Sequence, residues 1–166
     1  MGYQMSKESD AATVRALVLA IFETNGQLID VGNQIVGHLG LTTAWWQVLG
    51  ALGYSPTPLP VASIARNMGL TRQAVQRVVN RLAERKLVTF APNPHHQRAK
   101  LVVLTDAGQQ ALKGAELAVL PIDQKVVEQI GLDRLSAAAA VLKEFAQVVE
   151  QASQPHANTS ELKTKN

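Results

Sequence analysis

Cysteine is absent from the 166 residues of the chain. That excludes disulfides, thiol catalysis and cysteine-ligated zinc. Aromatic residues are scarce at 4%, while alanine and valine are abundant, a bias that suits helices. No uncharged apolar run reaches the roughly 18 residues needed to cross a membrane, so no membrane partner is expected. The N-terminus also lacks the basic start, apolar core and cleavage site of a secretory signal. A cytoplasmic location is the default expectation. The length corresponds to about one domain.

Acidic residues are the next scarcity, and it is local. Between residues 66 and 100 stand Arg66, Arg72, Arg77, Arg81, Arg85, Lys86, Arg98 and Lys100, with Glu84 the only acid, a formal +7. The remaining residues hold eight basic and twelve acidic side chains, a formal −4, so the net +3 conceals a concentrated basic face. Such segregation is the electrostatic footprint of a nucleic-acid binder.

The same stretch has helix-turn-helix punctuation. Val61, Ile64, Ala65 and Met68 recur at i, i+3, i+4 and i+7, one face of a short helix. Gly69 can adopt the left-handed conformation that ends it, and Thr71 is a suitable N-cap for the next helix. In that second helix Val75, Val78, Val79 and Leu82 cluster on the core side. Gln73, Gln76, Arg77, Asn80 and Arg81 fill the opposite arc. Arg, Gln and Asn can form paired hydrogen bonds with guanine or adenine edges in the major groove. A merely solvated helix face would mix Glu with its Lys and Arg, and this one has no acid before Glu84.

LVTFA, PNPHHQR and AKLVVLT follow, two β-rich runs around a Pro/Asn-rich loop that read as a hairpin. Its tip carries His95, His96, Gln97 and Arg98, and Lys100 starts the return strand. A basic hairpin there can reach phosphates or a narrow minor groove.

The order of elements and the residues LPVASIARNMGLTRQAVQRVVNRLAERKLVTFAPNPHHQRAKLVVLTDAG resemble the MarR (multiple antibiotic resistance regulator) family. The resemblance spans roughly residues 40–110, including GLTTAWWQVLGAL upstream and the Leu-Thr-x-x-Gly pattern at Leu104, Thr105 and Gly108. It implies a mainly α fold with a small β-hairpin wing (α+β), a winged helix-turn-helix lobe flanked by N- and C-terminal dimerisation helices. It further implies a homodimeric regulator on double-stranded DNA, with an effector crevice between the dimerisation helices and the lobe. Trp46 matches a recurrent Trp position and is expected to be mainly structural. Trp45 is then the candidate pocket wall, and His38 could meet an anionic effector. Members commonly carry Asp two residues before the wing Arg, and here that position holds His96. A protonated His there would add positive charge against phosphate. The lack of cysteine excludes the thiol-based oxidant sensing of some members.

The expected organisation is a disordered 1–8, an N-terminal dimerisation region over 9–40, the DNA-binding lobe over 41–104, C-terminal dimerisation helices over 105–152 and a disordered tail over 153–166. In the first region Val14, Leu17, Val18, Ile21 and Phe22 form one apolar stripe, and Leu28, Ile29, Ile35, Val36 and Leu39 a second. Asn25-Gly26 marks a break or a weak spot between them. GYSPTPLP (53–60) is a connector that can include a short strand pairing with the wing. Thr105 should cap a helix from about Asp106 to Val127, which Pro121 should kink or interrupt. The last helix, 132–152, carries Leu135, Ala138, Ala139, Leu142, Phe145, Ala146 and Val149. One lobe cannot cover the stripes of both terminal helices, so a second copy is expected to do so.

The DNA-contacting set is therefore Thr71, Arg72, Gln73, Gln76, Arg77, Asn80, Arg81, His96, Arg98 and Lys100. The effector set is His38, Trp45 and Trp46, for an aromatic or anionic small molecule. No catalytic constellation, cofactor or metal site is expected, because His38, His95, His96 and His156 never share metal-ligand spacing on one helix. The alternatives are a metal-responsive regulator of the same fold and a winged-helix protein-interaction module. The basic helix face argues against the second. An RNA-binding role fits poorly with base-reading side chains, because the RNA major groove is too deep and narrow for them.

Overall fold

The computed structural model describes residues 2–94, 96 and 98–153, with side chains from residue 9 onward. These residues run through α1 (Gly2–Val36), a 3-10 turn (Gly37–Leu39), α2 (Thr43–Gly53), β1 (Leu59–Pro60), α3 (Val61–Met68) and α4 (Arg72–Glu84). Strands β2 (Val88–Ala91) and β3 (Leu101–Leu104) follow, then α5 (Asp106–Ile130) and α6 (Leu132–Ser153). The chain is thus mainly α with a small antiparallel sheet, the expected class.

Helix α1 is continuous through Asn25-Gly26 and starts upstream of Ser9. Ser9 lies inside it, its carbonyl accepting the Thr13 hydroxyl at 3.0 Å. The helix thus includes residues 2–8, where Gln4, Met5, Lys7 and Glu8 are good helix formers. Met1 and residues 154–166 lie outside the described residues, as do His95, Gln97 and His156.

The chain divides into two compact units between Val119 and Leu120. In the first, Val36, Val48, Leu49, Ile64, Val75, Val79, Leu82 and Val102 are fully buried and form the core. They come from α1, α2, α3, α4 and β3, so the recognition element is fixed on one apolar nucleus. Val78, assigned to the same face of α4, packs against that core half-buried.

Helix α2 is doubly held at its start. The Thr42 hydroxyl accepts the Trp45 N–H at 3.2 Å as an N-cap, and the Asn33 side-chain oxygen accepts the Thr43 N–H at 2.8 Å. The buried Thr43 hydroxyl donates to the Ile29 carbonyl of α1 at 2.8 Å. This approach requires Gly32, where a Cβ would stand 2.5 Å from that hydroxyl oxygen.

The sheet order is β1-β3-β2, antiparallel throughout, with Leu59 opposite Val102 and Phe90 opposite the same Val102. Pro60 sits on an edge strand, where its missing N–H is tolerated. The GYSPTPLP connector thus contains the short strand expected of it. At the start of α5, Thr105 donates from its hydroxyl to the Lys86 carbonyl at 2.7 Å and accepts the Gly108 N–H at 3.0 Å. Its own N–H donates to the Leu87 carbonyl at 3.1 Å. The Leu-Thr-x-x-Gly pattern therefore locks the end of α4 to the start of α5.

In the second unit, Pro121 lies inside α5 instead of interrupting it. Leu120, Ile122, Val126, Val127 and Ile130 are all exposed, and no residue of α6 is buried. Leu132, Val141, Leu142, Val148 and Val149 of α6 are exposed while Leu135 and Phe145 are half-buried; in the first unit Leu17, Leu19, Phe22 and Leu28 of α1 are exposed.

Candidate nucleic-acid interface

Helix α3 ends as the sequence demands. Gly69 has φ +63°, and the Leu70 N–H donates to the Ala65 carbonyl at 2.9 Å, a Schellman-type stop. Thr71 then caps α4, its hydroxyl oxygen accepting the Ala74 N–H at 3.2 Å. That bond leaves the Thr71 hydroxyl proton available for a phosphate oxygen.

With Val75, Val79 and Leu82 buried, the amphipathic pattern turns Arg72, Gln73, Gln76, Arg77, Asn80 and Arg81 outward, and all six are exposed. Three of these side chains already have partners. The Gln76 amide nitrogen donates to the Asn80 side-chain oxygen at 2.8 Å, bracing one helical turn. Arg81 pairs with Glu84 at 3.0 Å, with both side chains well exposed. An exposed pair of this kind contributes little to stability, so Arg81 can be drawn to a phosphate.

The wing stands beside this face. Arg72, Gln73 and Gln76 of α4 and Arg98 and Lys100 of the wing line one cleft of about 620 Å³, floored by Pro60, Val61, Ala62 and Phe90. Cations from two separate elements thus converge on one apolar-floored channel, an arrangement suited to a polyanionic backbone. The wing loop is held by its own backbone. The His96 N–H donates to the Asn93 carbonyl at 3.2 Å, and the Ala99 N–H donates to the His96 carbonyl at 3.0 Å. His96 is exposed, and an aspartate is not required for these bonds.

The effector candidates separate. Trp46 lines a groove of about 860 Å³ with Leu28 of α1, Thr43, Gln47 and Tyr54 of the α2 region, and Met68 of α3. Trp45 does not line it and is half-buried beneath Arg85, whose guanidinium carbon lies 5.1 Å from the ring centroid. Adjacent helical residues must point apart, and here it is the Trp expected to be structural that meets the groove. His38 is exposed in the 3-10 turn, apart from the groove lining. Tyr54 went unremarked in the sequence. It lines the same groove and donates its hydroxyl to Glu116 at 2.5 Å, a contact across 62 positions that periodicity cannot reveal. Among the described residues no three His, Asp or Glu side chains gather as a metal site, and no helix is long and apolar enough to cross a membrane.

The sequence model of the MarR family matches residues 39–99. An uncharacterised protein of Mycobacterium tuberculosis is 32% identical over 117 residues, covering 70% of this chain and 80% of that protein. The transcriptional activatory protein BadR of Rhodopseudomonas palustris is 30% identical over 96 residues, 56% of this chain and 54% of its own length. Among solved structures, a mutant MarR from E. coli complexed with operator DNA superposes with a TM-score of 0.68 at 21% identity, covering 80% of this chain and 94% of that one. Family profile, relatives and fold agree with the recognition-helix and wing geometry, and the chain belongs to the MarR family of DNA-binding transcriptional regulators, not to an enzyme family.

Proposed function

We propose that the chain works as a homodimeric repressor that binds pseudo-palindromic promoter DNA and releases it when a small molecule binds. The observation that carries this reading is the shared channel of Arg72, Gln73, Gln76, Arg98 and Lys100, continuous with the acid-free outer face of α4. Helix α4 enters the major groove, with Gln73, Gln76, Arg77 and Asn80 toward base edges and Thr71, Arg72 and Arg81 toward phosphates. The wing residues Arg98, Lys100 and His96 follow the adjacent backbone.

The exposed stripes of α1, α5 and α6 support pairing with a second copy. Leu19, Phe22, Leu132 and Val148 are each more than half exposed in the single chain, an uneconomical state for so many large apolar side chains. A two-fold pair places two recognition helices about 34–36 Å apart, one DNA turn. The groove beside Trp46 lies between α1 and the DNA-binding elements and has room for an aromatic or anionic effector.

The test is binding of the purified protein to its own upstream DNA, titrated against salt and non-specific competitor, with stoichiometry from sedimentation. Specific binding by a dimer, weakening steeply as salt rises, is expected. Salt-independent association, or a folded dimer that ignores its upstream DNA at low salt in the absence of effector, overturns the reading. Transcription from the bound promoter then shows repression or its reverse.

A further inference from the structure

Arg85 belongs to the basic segment and is exposed, yet its side chain lies along the protein surface over Trp45. Its guanidinium carbon lies 5.1 Å from the Trp45 ring centroid, within cation–π range. Its Nη1 faces the Gly40 carbonyl oxygen at 3.5 Å, the long end of hydrogen bonding. Gly40 stands at φ +70°, a left-handed conformation that favours glycine, and its turn brings the carbonyl to the guanidinium.

The two ends of this contact are significant. Arg85 is the C-cap residue of α4, the recognition helix. Trp45 is in the first turn of α2, and Gly40 closes the 3-10 turn that joins α1 to α2. That junction is itself tied to α1 by the Thr43–Ile29 and Asn33–Thr43 hydrogen bonds. A continuous series of contacts therefore runs from α1 through α2 and Trp45 to the C-terminal end of α4. On its other side, the same end of α4 is held at Lys86 by Thr105.

We propose that Arg85 is a positioning residue that clamps the recognition helix to the α1–α2 junction and so sets the half-site spacing the dimer accepts. The proposal rests on the dimeric DNA-binding reading above. If α1 contributes to the two-fold interface, the orientation of α4 relative to α1 determines how far apart the two recognition helices stand. Changing the operator centre by one base pair moves a half-site by about 3.4 Å along the axis and rotates it as well. A clamped helix rejects that displacement, and a loosened one follows it.

The experiment compares binding to the upstream operator with binding to versions carrying one base pair inserted or removed at the centre. Wild type, Arg85→Ala, Arg85→Lys, Trp45→Phe and Arg85→Ala/Trp45→Phe are measured over a salt series. Wild type is expected to prefer the native spacing. In Arg85→Ala that preference should fall by about two- to five-fold, the equilibrium equivalent of losing an exposed cation–π contact, with an unchanged salt slope. Arg85→Lys keeps the charge but lacks the flat guanidinium, so it should show part of the loss, and it carries the test if the alanine variant does not fold. The double variant should lose no more than Arg85→Ala alone. An unchanged spacing preference in Arg85→Ala, or a salt slope lowered by about one with the preference intact, overturns the proposal and makes Arg85 a bystander or a phosphate contact. A wild type that binds no DNA specifically overturns the DNA-binding reading and this proposal with it.

Discussion

Replacing Gly108 with alanine should destabilise the protein, although Gly→Ala within a helix ordinarily does the reverse. A Cβ at Gly108 would stand 1.9 Å from the Leu87 carbonyl oxygen and 3.0 Å from its carbon, both backbone atoms that cannot rotate away. Relief requires the α4–β2 corner and the start of α5 to part by more than about 1 Å, well beyond what a packed interior absorbs freely. Overpacking of this sort costs about 1–3 kcal/mol. The same movement stretches the Thr105–Leu87 and Thr105–Lys86 hydrogen bonds, each worth about 1 kcal/mol. The helix-propensity gain of alanine offsets about 1 kcal/mol. The net expectation is a loss of about 2–4 kcal/mol. Gly114, on the same helix, provides the control, because its added Cβ would meet Leu39 Cδ1 at an ordinary 3.6 Å. Gly114→Ala should therefore stabilise by about 0.4–1 kcal/mol. At about 2–4 °C per kcal/mol for a chain of this size, calorimetry should show a Tm lowered by about 4–16 °C for Gly108→Ala and raised by about 1–4 °C for Gly114→Ala. A Gly108→Ala protein at or above the wild-type Tm would refute the close approach of α5 to Leu87.

Further outcomes follow from the outer face of α4 and the wing. Arg77→Ala should lower operator affinity and relax base preference, by about 1–3 kcal/mol at the position it reads, measured against single-base operator variants. A loss equal on every sequence would remove Arg77 from base reading. Arg98→Ala should instead weaken binding evenly across sequences and reduce the salt slope by about one. Glu84→Gln removes the only acid of the basic segment and frees Arg81 from its ion pair. It should strengthen DNA binding at low salt while leaving thermal stability within about 0.5 kcal/mol. Unaltered binding would show that Arg81 and Glu84 both lie away from the DNA, and weaker binding that the ion pair holds Arg81 in its binding position.

The helix-turn-helix was legible because its determinants are local. The spacing of Val61, Ile64, Ala65 and Met68, the left-handed Gly69 and the Thr71 cap act within a few residues of one another, and each does in the structure what its residue type requires. The outer face of α4 was legible for the same reason, since burying Val75, Val79 and Leu82 leaves the Arg, Gln and Asn positions outside. Of the two outcomes open at Pro121 and at Asn25-Gly26, the interruption does not occur at either. Local propensity weakens a helix by a limited amount, and flanking turns carried α5 and α1 through both.

Charge segregation, helix periodicity, turn glycines and caps were determined by the sequence alone, and they sufficed for the helix-turn-helix and the outward polar arc of α4. Tertiary structure decided which Trp meets the groove, why Gly108 and Gly32 must be glycine, and that Arg85 lies over Trp45. Those outcomes depend on distant residues, such as Gly32 and Thr43, Leu87 and Gly108, or Trp45 and Arg85, being brought within a few ångströms. Hydrogen-bonded turns and side-chain periods extend over four or so residues. Contacts beyond that range exist only after the core has closed and selected which faces meet.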